Sequence, residues 1–242
     1  MLSRNSLKAV NLLLKEKSNW KILDIGCGYT ANINANVVAD AQDLSHFYKD
    51  IKFVQIKDRN LPFTDNEFDF VVSSHVIEHV EDFEFFIKEL ERISKKGYIE
   101  LPSRLADNIV FENESDHIWW FKFDDEKKEL IVSKKNQLIE PFLSVATAKN
   151  LEKIFRESLI LELSWEDKID YRIDKTLEFK EKKKISFLTL VKKYFSKKLE
   201  NYLKNNYFAI IPFSINLVLS SPFSNISLII SQPPINSFLT YS

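Results

Sequence analysis

Two short stretches of this chain combine residue types that can do chemistry at close spacing. The first is Asp24-Ile-Gly-Cys-Gly28, in which an acid and two glycines follow an apolar segment. The whole chain has only three glycines. Two of them within three residues indicate a tight turn whose main chain can approach a ligand closely. Asp24 can accept hydrogen bonds from turn amides or from a ligand amine.

The second stretch is His75-Val-Ile-Glu78-His79. If it begins a helix, its two histidines and its glutamate share one face, because residues three and four apart are neighbours there. Neutral imidazoles can take a proton from a hydroxyl near neutral pH. His117 lies further along, before the aromatic residues of 119–123. These aromatic residues fit either a lid over an acceptor or a hydrophobic strand that covers a sheet.

The elements that must position these residues alternate between strand and helix up to residue 101. Hydrophobic patterning predicts helices at 5–16 and 81–94, and strands at 20–25, 36–40, 51–56, 68–73 and 98–101. The basic residues and glycine of 95–97 are typical of a helix end. Alternation of this kind predicts an α/β fold with a parallel, doubly wound sheet, and ligands bind beyond the carboxyl ends of its strands.

The region after residue 101 continues differently. We expect a hairpin at 122–132, a helix at 146–157 and a strand at 159–165. The hairpin and the last strand are predicted to finish the sheet and to shape an acceptor pocket.

Two motifs in the first half resemble a known family. Lys21-Ile-Leu-Asp-Ile-Gly-Cys-Gly28 resembles the first motif of class I S-adenosylmethionine-dependent methyltransferases. Residues 60–79 are similar to the middle of the type 11 methyltransferases, which include ubiquinone-biosynthesis enzymes. The resemblance runs in order over residues 20–101. It implies a Rossmann-like, mostly parallel seven-stranded sheet with a C-terminal antiparallel portion, and S-adenosylmethionine as the cofactor.

The resemblance also implies roles for particular residues. Asp40 would hold the ribose hydroxyls, and Ser74 and His75 would lie near the methionine moiety and the reacting methyl. Lys57 stands where the family has an acid that reads adenine, so Asp58 is expected to replace that acid. The residues expected to bind the cofactor are Asp24, Gly26, Cys27, Gly28, Asp40, Asp58 and Ser74. The candidate bases for an acceptor hydroxyl are His79, His75 and His117, in that order.

Two other functions stay open. Gly26-x-Gly28-x-x-Ala31 also fits a dinucleotide fingerprint, but the short, Asn-rich stretch after it and Asp24 before it argue against a nicotinamide oxidoreductase. A methyltransferase-like interaction module without cofactor would fit Lys57 and the divergent tail, and Thr30 also departs from the family motif, where a third glycine is common.

A metal site is a further alternative. The pattern of residues 75–79 equals an inverted zinc-peptidase motif, but its setting argues against a peptidase. Ubiquinone O-methyltransferases and small-RNA ribose methyltransferases carry Glu-x-x-Glu-His here and bind a divalent cation with it. By that parallel the candidate ligands are His75, Glu78, His79 and His117. We do not favour a metal, because family members without one share the same pattern.

Composition narrows the remaining classes. The 242 residues carry a net charge of −1, so no overall field favours nucleic acid. Cys27 is the single cysteine, which excludes internal disulfides and fits a reducing cytoplasm. We expect methylation of an oxygen on a small molecule or saccharide. The sequence does not give the oligomeric state.

The chain changes character near residue 177. We expect a methyltransferase domain at 1–176 and a separate tail at 177–242. Residues 177–204 hold nine lysines and three glutamates, a local charge of +6, and they fit a basic amphipathic helix. Residues 205–242 hold no charged residue, and prolines and polar residues argue against a clean membrane span at 207–230. The tail fits peripheral contact with a membrane, packing on the domain, or pairing in a dimer.

Overall fold

The computed structural model describes residues 1–175 and 186–206. The chain divides into two units, Met1–Ser186 and Phe187–Ser242. The helices are α1 (Leu7–Glu16), α2 (Phe83–Ile93), α3 (Arg104–Ile109), α4 (Asn113–Asp116), α5 (Val145–Leu159) and α6 (Phe187–Asn206). The strands are β1 (Leu2–Arg4), β2 (Ile22–Ile25), β3 (Val37–Asp40), β4 (Lys52–Gln55), β5 (Phe70–Ser74), β6 (Lys96–Pro102), β7 (Trp119–Asp124), β8 (Glu129–Lys134), β9 (Ile160–Glu166) and β10 (Tyr171–Ile173).

The main sheet has seven strands in the order β1-β9-β6-β5-β2-β3-β4. The five strands from β6 to β4 are parallel to their neighbours, with Asp24 of β2 opposite Val38 of β3 and Val72 of β5. Strand β9 is antiparallel to β6, and β1 is antiparallel to β9. The predicted class, a mostly parallel, doubly wound Rossmann-like sheet with an antiparallel portion, is confirmed, and the sheet is mixed.

Packing on both faces of the sheet fixes its strands. Asp82 caps the N-terminus of helix α2, and its side chain accepts a hydrogen bond from the amide of Phe85. Its apolar residues Ile87, Leu90 and Ile93 lie on one face and are buried. Each buried aliphatic side chain of this size stabilises the fold by about 1.5–3 kcal/mol. On the other face, helix α1 contributes buried apolar side chains to a second core cluster. The site-bearing ends of the central strands therefore stand on a rigid base.

The hairpin does not finish the main sheet, contrary to the sequence-based prediction. Strands β7 and β8 pair with each other and, through β8, with β10 in a separate three-stranded sheet. The main sheet is extended by β1, which pairs along β9 and leaves no place there for the hairpin. Trp120, Phe121 and Phe123 are buried, so the aromatic stretch is a hydrophobic strand.

Gly97 is not a helix stop, which is a second difference from expectation. Helix α2 ends before it, and Gly97 lies within β6. A Cβ atom at Gly97 would stand 2.0 Å from the ring of Trp165, so this glycine makes room for the indole of the neighbouring strand. A pattern of charge and glycine cannot show such a cross-strand contact.

Helix α6 lies in the second unit and covers the described part of the predicted basic helix. Among the described residues, no helix is both long enough and apolar enough to cross a membrane. The predictions for residues 177–185 and 207–242, including that of the uncharged tail, lie outside the described residues. The boundary between 176 and 177 stays a prediction.

Candidate active site

The glycine turn after β2 is tied to the neighbouring strand. The amide of Gly26 donates to the carbonyl of Ala39 at 2.8 Å, and the amide of Gly28 donates to Oδ2 of Asp40 at 2.9 Å. Gly26 has φ +69° and Gly28 has φ +49°, a region that glycine enters without the steric cost of a side chain. The turn is thereby fixed against the end of β3, beside the carboxylate of Asp40.

The two glycines are needed for different reasons. A Cβ atom on Gly26 would stand 2.2 Å from Cγ2 of Val76, so the missing side chain lets the loop after β5 approach. A Cβ atom on Gly28 would meet no atom within 4 Å. Gly28 therefore faces open space, as a backbone that receives a ligand requires.

Asp24 is buried at the end of β2, with 5% of its surface exposed. Its Oδ2 accepts a hydrogen bond from the amide of Asn32. Burial raises the pKa of this carboxyl to about 7, against the opposing effect of the Asn32 hydrogen bond, and the charge of Asp40 adds to the rise. Near neutral pH, Asp24 is therefore divided between charged and neutral forms. A cationic ligand group in the adjacent cavity would favour the charged form.

Asp40 lies at the end of β3, as predicted. Its Oδ2 accepts from Gly28 and its Oδ1 accepts from the amide of Gln42, both at 2.9 Å. Each carboxylate oxygen has more than one lone pair, so both can still accept from a ligand. Asp40 and Asp58 line one cavity of about 720 Å³. Lys57 is not among the residues that line it.

A second cavity, of about 550 Å³, lies on the other side of the glycine turn. Its lining includes Asp24, Cys27, Gly28, Ser74 and His117. Gly26, His75 and His79 line both cavities. The structure therefore brings the predicted residues together at one edge of the sheet, divided between two cavities that share a boundary.

His75 does not begin a regular α-helix, contrary to the prediction. It has φ +56°, and only a short 3-10 helix follows, at Ile77–His79. Its ring bridges two acids: Nδ1 lies 3.1 Å from Oε1 of Glu78, and Nε2 lies 3.3 Å from Oε1 of Glu100. A left-handed conformation in a residue that is not glycine is strained and is held here by these contacts.

The two acids decide the charge of His75. Burial alone would lower its pKa, but the hydrogen bonds and charges of Glu100 and Glu78 outweigh that effect and raise the pKa to about 10. The ring is accordingly a cation at neutral pH, with both nitrogens engaged. A protonated imidazole cannot accept a proton, so His75 is less suited than the other two histidines to act as a base.

The rings of His79 and His117 meet edge to face. Nδ1 of His79 lies 3.0 Å from the carbonyl of Asp116, and Nδ1 of His117 lies beside Oδ1 of Asp107. A carbonyl oxygen only accepts, so the proton of a neutral His79 is on Nδ1 and the lone pair is on Nε2. The same holds for His117 when it donates to the Asp107 carboxylate.

Glu78 completes this group. It is fully buried, and its Oε2 has no hydrogen-bond partner among the described residues. In the part of the chain that the structure describes, ligand atoms of Glu78, His79 and His117 all lie within 4.8 Å of one another. Two imidazole nitrogens and a carboxylate are a donor set that divalent transition metals accept. His75, a ligand candidate from the sequence, is not in this group.

Sequence reasoning missed Asp107 and Glu100. Asp107 is buried and holds His117, the indole of Trp120 and, at 3.4 Å, the ammonium group of Lys135. It lies in an ordinary helical stretch, and nothing in its sequence neighbourhood marks it. Glu100 had one available signal, because it is an acid near the carboxyl end of a predicted strand.

Comparisons with known proteins agree with the resemblance seen in the sequence. Residues 28–99 match the family model described as a methyltransferase domain, which is less than half of the chain. An uncharacterised protein of Methanocaldococcus jannaschii is 36% identical over 119 residues, covering 43% of this chain and 50% of the relative. The chain thus matches about half the length of this curated relative.

Solved structures to which parts of the chain are similar include bacterial and archaeal proteins. The YcgJ protein of Bacillus subtilis is 17% identical, with a TM-score of 0.34, covering 44% of this chain and 53% of that one. A Pyrococcus horikoshii protein is 16% identical, with a TM-score of 0.40, covering 66% and 88%. The match over residues 28–99 to a methyltransferase domain supports the resemblance to class I S-adenosylmethionine-dependent methyltransferases that the sequence motifs carry.

Proposed function

We propose that this chain is an S-adenosylmethionine-dependent methyltransferase that methylates an oxygen of a small molecule or saccharide. One observation carries the proposal: two cavities meet at Gly26, His75 and His79, beyond the carboxyl ends of the parallel strands. A methyl donor and an acceptor need adjoining sites of this kind, since the methyl passes directly from one to the other.

The larger cavity fits the adenosine part of the cofactor. Asp40 presents two carboxylate oxygens, which suit the paired hydroxyls of a ribose. Asp58 lines the same cavity and can accept from an adenine amine. In the adjoining cavity, Gly28 offers open space, and Asp24 offers a carboxyl that the cationic amine of the cofactor would hold in its charged form. These residues fit the group that the family uses.

For methyl transfer to a hydroxyl, the protein has to align the donor with the acceptor and to remove one proton from the acceptor. The positive sulfur of the bound donor already activates the methyl group. The two cavities would position the acceptor beside the donor, and such positioning supplies much of the rate. His79 and His117 each have an Nε2 available to take the proton of an acceptor hydroxyl, with Nδ1 fixed by Asp116 and Asp107.

Calorimetric titration with S-adenosylmethionine and S-adenosylhomocysteine tests the proposal. We expect micromolar binding that Asp40→Ala weakens at least about 10-fold, because the ribose hydroxyls lose their acceptor. Asp50→Asn is a matched control, since Asp50 is exposed and lines neither cavity. Folded protein that binds NAD in place of these ligands would favour the oxidoreductase. Folded protein that binds none of them would favour a cofactor-free module.

A divalent cation is a second candidate for this site. Glu78, His79 and His117 would hold it, and it would supply a positive charge that orients an acceptor diol and lowers the pKa of its hydroxyl. The supporting observation is the unpartnered, buried Oε2 of Glu78. If the cation binds, the two histidines are its ligands, and the base must come from elsewhere.

Metal binding can be measured apart from activity. Titration with Mn²⁺, followed by the loss of its free-ion paramagnetic resonance signal, should show one site that Glu78→Gln weakens at least about 10-fold. His46→Gln is the control, because His46 is exposed and lies outside the group. Equal binding by wild type and Glu78→Gln would reject the site.

A further inference from the structure

Helix α6 presents one apolar stripe along its length. Large apolar residues recur at spacings of three and four at Leu188, Val191, Phe195, Leu199 and Tyr202. Such spacing places them on a single helix face. Leu188 is 78% exposed, Phe195 63% and Leu199 58%. A contiguous exposed apolar surface of this kind is typical of an interaction site.

Lysines flank the stripe on both sides. Lys192 and Lys198 lie about 60° to either side of Phe195 around the helix, and Lys193 and Lys197 lie about 160° from it. All four are exposed. The ammonium group of Lys198 lies 3.3 Å from the hydroxyl of Tyr194, which is itself 58% exposed. The helix therefore combines an apolar face, basic borders and a basic back.

The charge of α6 indicates which kind of partner its apolar stripe contacts. Residues 187–206 hold five lysines and one glutamate, a net charge of +4. A surface of anionic phospholipids is complementary to it, because acyl chains receive the stripe while flanking lysines extend their ammonium groups to the phosphates. Nucleic acid would use the lysines alone and leave the stripe in water. A second copy would bring two helices of like charge together.

We propose that α6 is an interfacial helix that docks this protein on a membrane surface rich in anionic phospholipids. Leu188, Phe195 and Leu199 enter the acyl boundary, and Lys192 and Lys198 contact lipid phosphates. The helix then lies along the surface, with its apolar stripe toward the acyl chains. This inference is independent of the proposed reaction.

Cosedimentation of the full chain with lipid vesicles tests the proposal. We expect at least about 10-fold stronger binding to vesicles with about 30% phosphatidylglycerol than to pure phosphatidylcholine, weakening as salt rises. A variant in which Lys192, Lys193, Lys197 and Lys198 are all replaced by glutamine should bind these vesicles at least about 10-fold more weakly. The matched control changes four exposed lysines of the first unit, Lys8, Lys15, Lys49 and Lys127, to glutamine and should bind as wild type.

A second variant tests insertion of the stripe. Leu188→Ser with Phe195→Ser keeps every charge and should also lose at least about 10-fold, because two apolar side chains no longer leave water. Circular dichroism and titration with S-adenosylhomocysteine show that each variant is folded, and the latter reports the cofactor site separately.

Three results would overturn the proposal. One is equal binding of the lysine variant and its control. Another is wild-type binding by the serine variant, which would mean adsorption by charge alone. The third is that the wild-type chain does not bind anionic vesicles. Binding of a duplex oligonucleotide, or a dimer in solution, would then identify the partner of α6 instead.

Discussion

The imidazole rings of His79 and His117 stand nearly perpendicular, with their centroids 4.5 Å apart. His79 ends a short 3-10 helix after β5, and His117 directly follows α4. Their Nδ1 atoms are held by the carbonyl of Asp116 and the carboxylate of Asp107, so their Nε2 atoms are the ones left for a ligand. Fixing one nitrogen by a hydrogen bond determines the chemistry of the other.

Stability should fall at high pH because of His75. Its pKa in the folded protein, about 10, lies above the ordinary value of 6.5. The stabilisation is therefore fully present below about pH 6.5 and is lost as the pH rises through 10. The side chain is 41% exposed, so solvent screening reduces the effect to about 1 kcal/mol. Urea unfolding of wild type and His75→Gln from pH 6 to pH 10.5 should show their difference shrinking. His46→Gln should show no such trend.

Gly26→Ala should be far more damaging than Gly28→Ala. Both positions have positive φ, which costs alanine about 1–2 kcal/mol. Only Gly26 adds a clash, with Val76. Thermal unfolding should therefore show a larger loss for Gly26→Ala, and Val76→Ala in the same chain should recover part of it. Equal losses for the two alanine variants would contradict the role of Val76.

Replacing Asp24 by asparagine should raise the stability of the protein but weaken cofactor binding. Its pKa in the fold is about 7, above the ordinary 3.8, so its contribution to stability is fully present below pH 3.8 and is lost as the pH rises through 7. Asp24→Asn removes a buried charge and should raise the free energy of unfolding at pH 8 by about 1–2 kcal/mol. The same variant should bind S-adenosylmethionine at least about 10-fold more weakly. Calorimetry at pH 6 and pH 8 measures both effects. A destabilised variant at pH 8 would contradict the prediction.

Replacing Asp107, the hydrogen-bond partner of His117, should lower the stability of the protein. Asp107→Asn leaves the ammonium group of Lys135 buried without its carboxylate partner, which typically costs about 3 kcal/mol. Lys135→Met should offset part of that loss in the double variant, and urea unfolding of the four proteins gives the coupling. Asp125→Asn breaks the exposed pair with Arg4 and should cost much less. Additive losses at Asp107 and Lys135 would rule out the pair.

The sequence by itself determined the parallel half of the sheet and the placement of the glycine turn. Strands β2 to β6 were all predicted to within a few residues. For β2 and β5 the reason is that a strand buried on both faces is a nearly continuous apolar run. The residues that follow such strands meet at one edge in any parallel sheet. For that reason Asp24, Asp40 and His75 could be placed near each other without coordinates.

Only the tertiary structure decided the long-range contacts. The pairing of β1 with β9, which separates the hairpin from the main sheet, joins residues at distant positions of the chain, and a short strand such as Leu2–Arg4 has no local signature. For the same reason the contacts of Asp107 with His117 and of Glu100 with His75 could not be predicted from the sequence. The local sequence pattern shows which face of its own helix or strand a residue lies on. The charge of a histidine and the partners of its two nitrogens depend on side chains that only folding brings into contact.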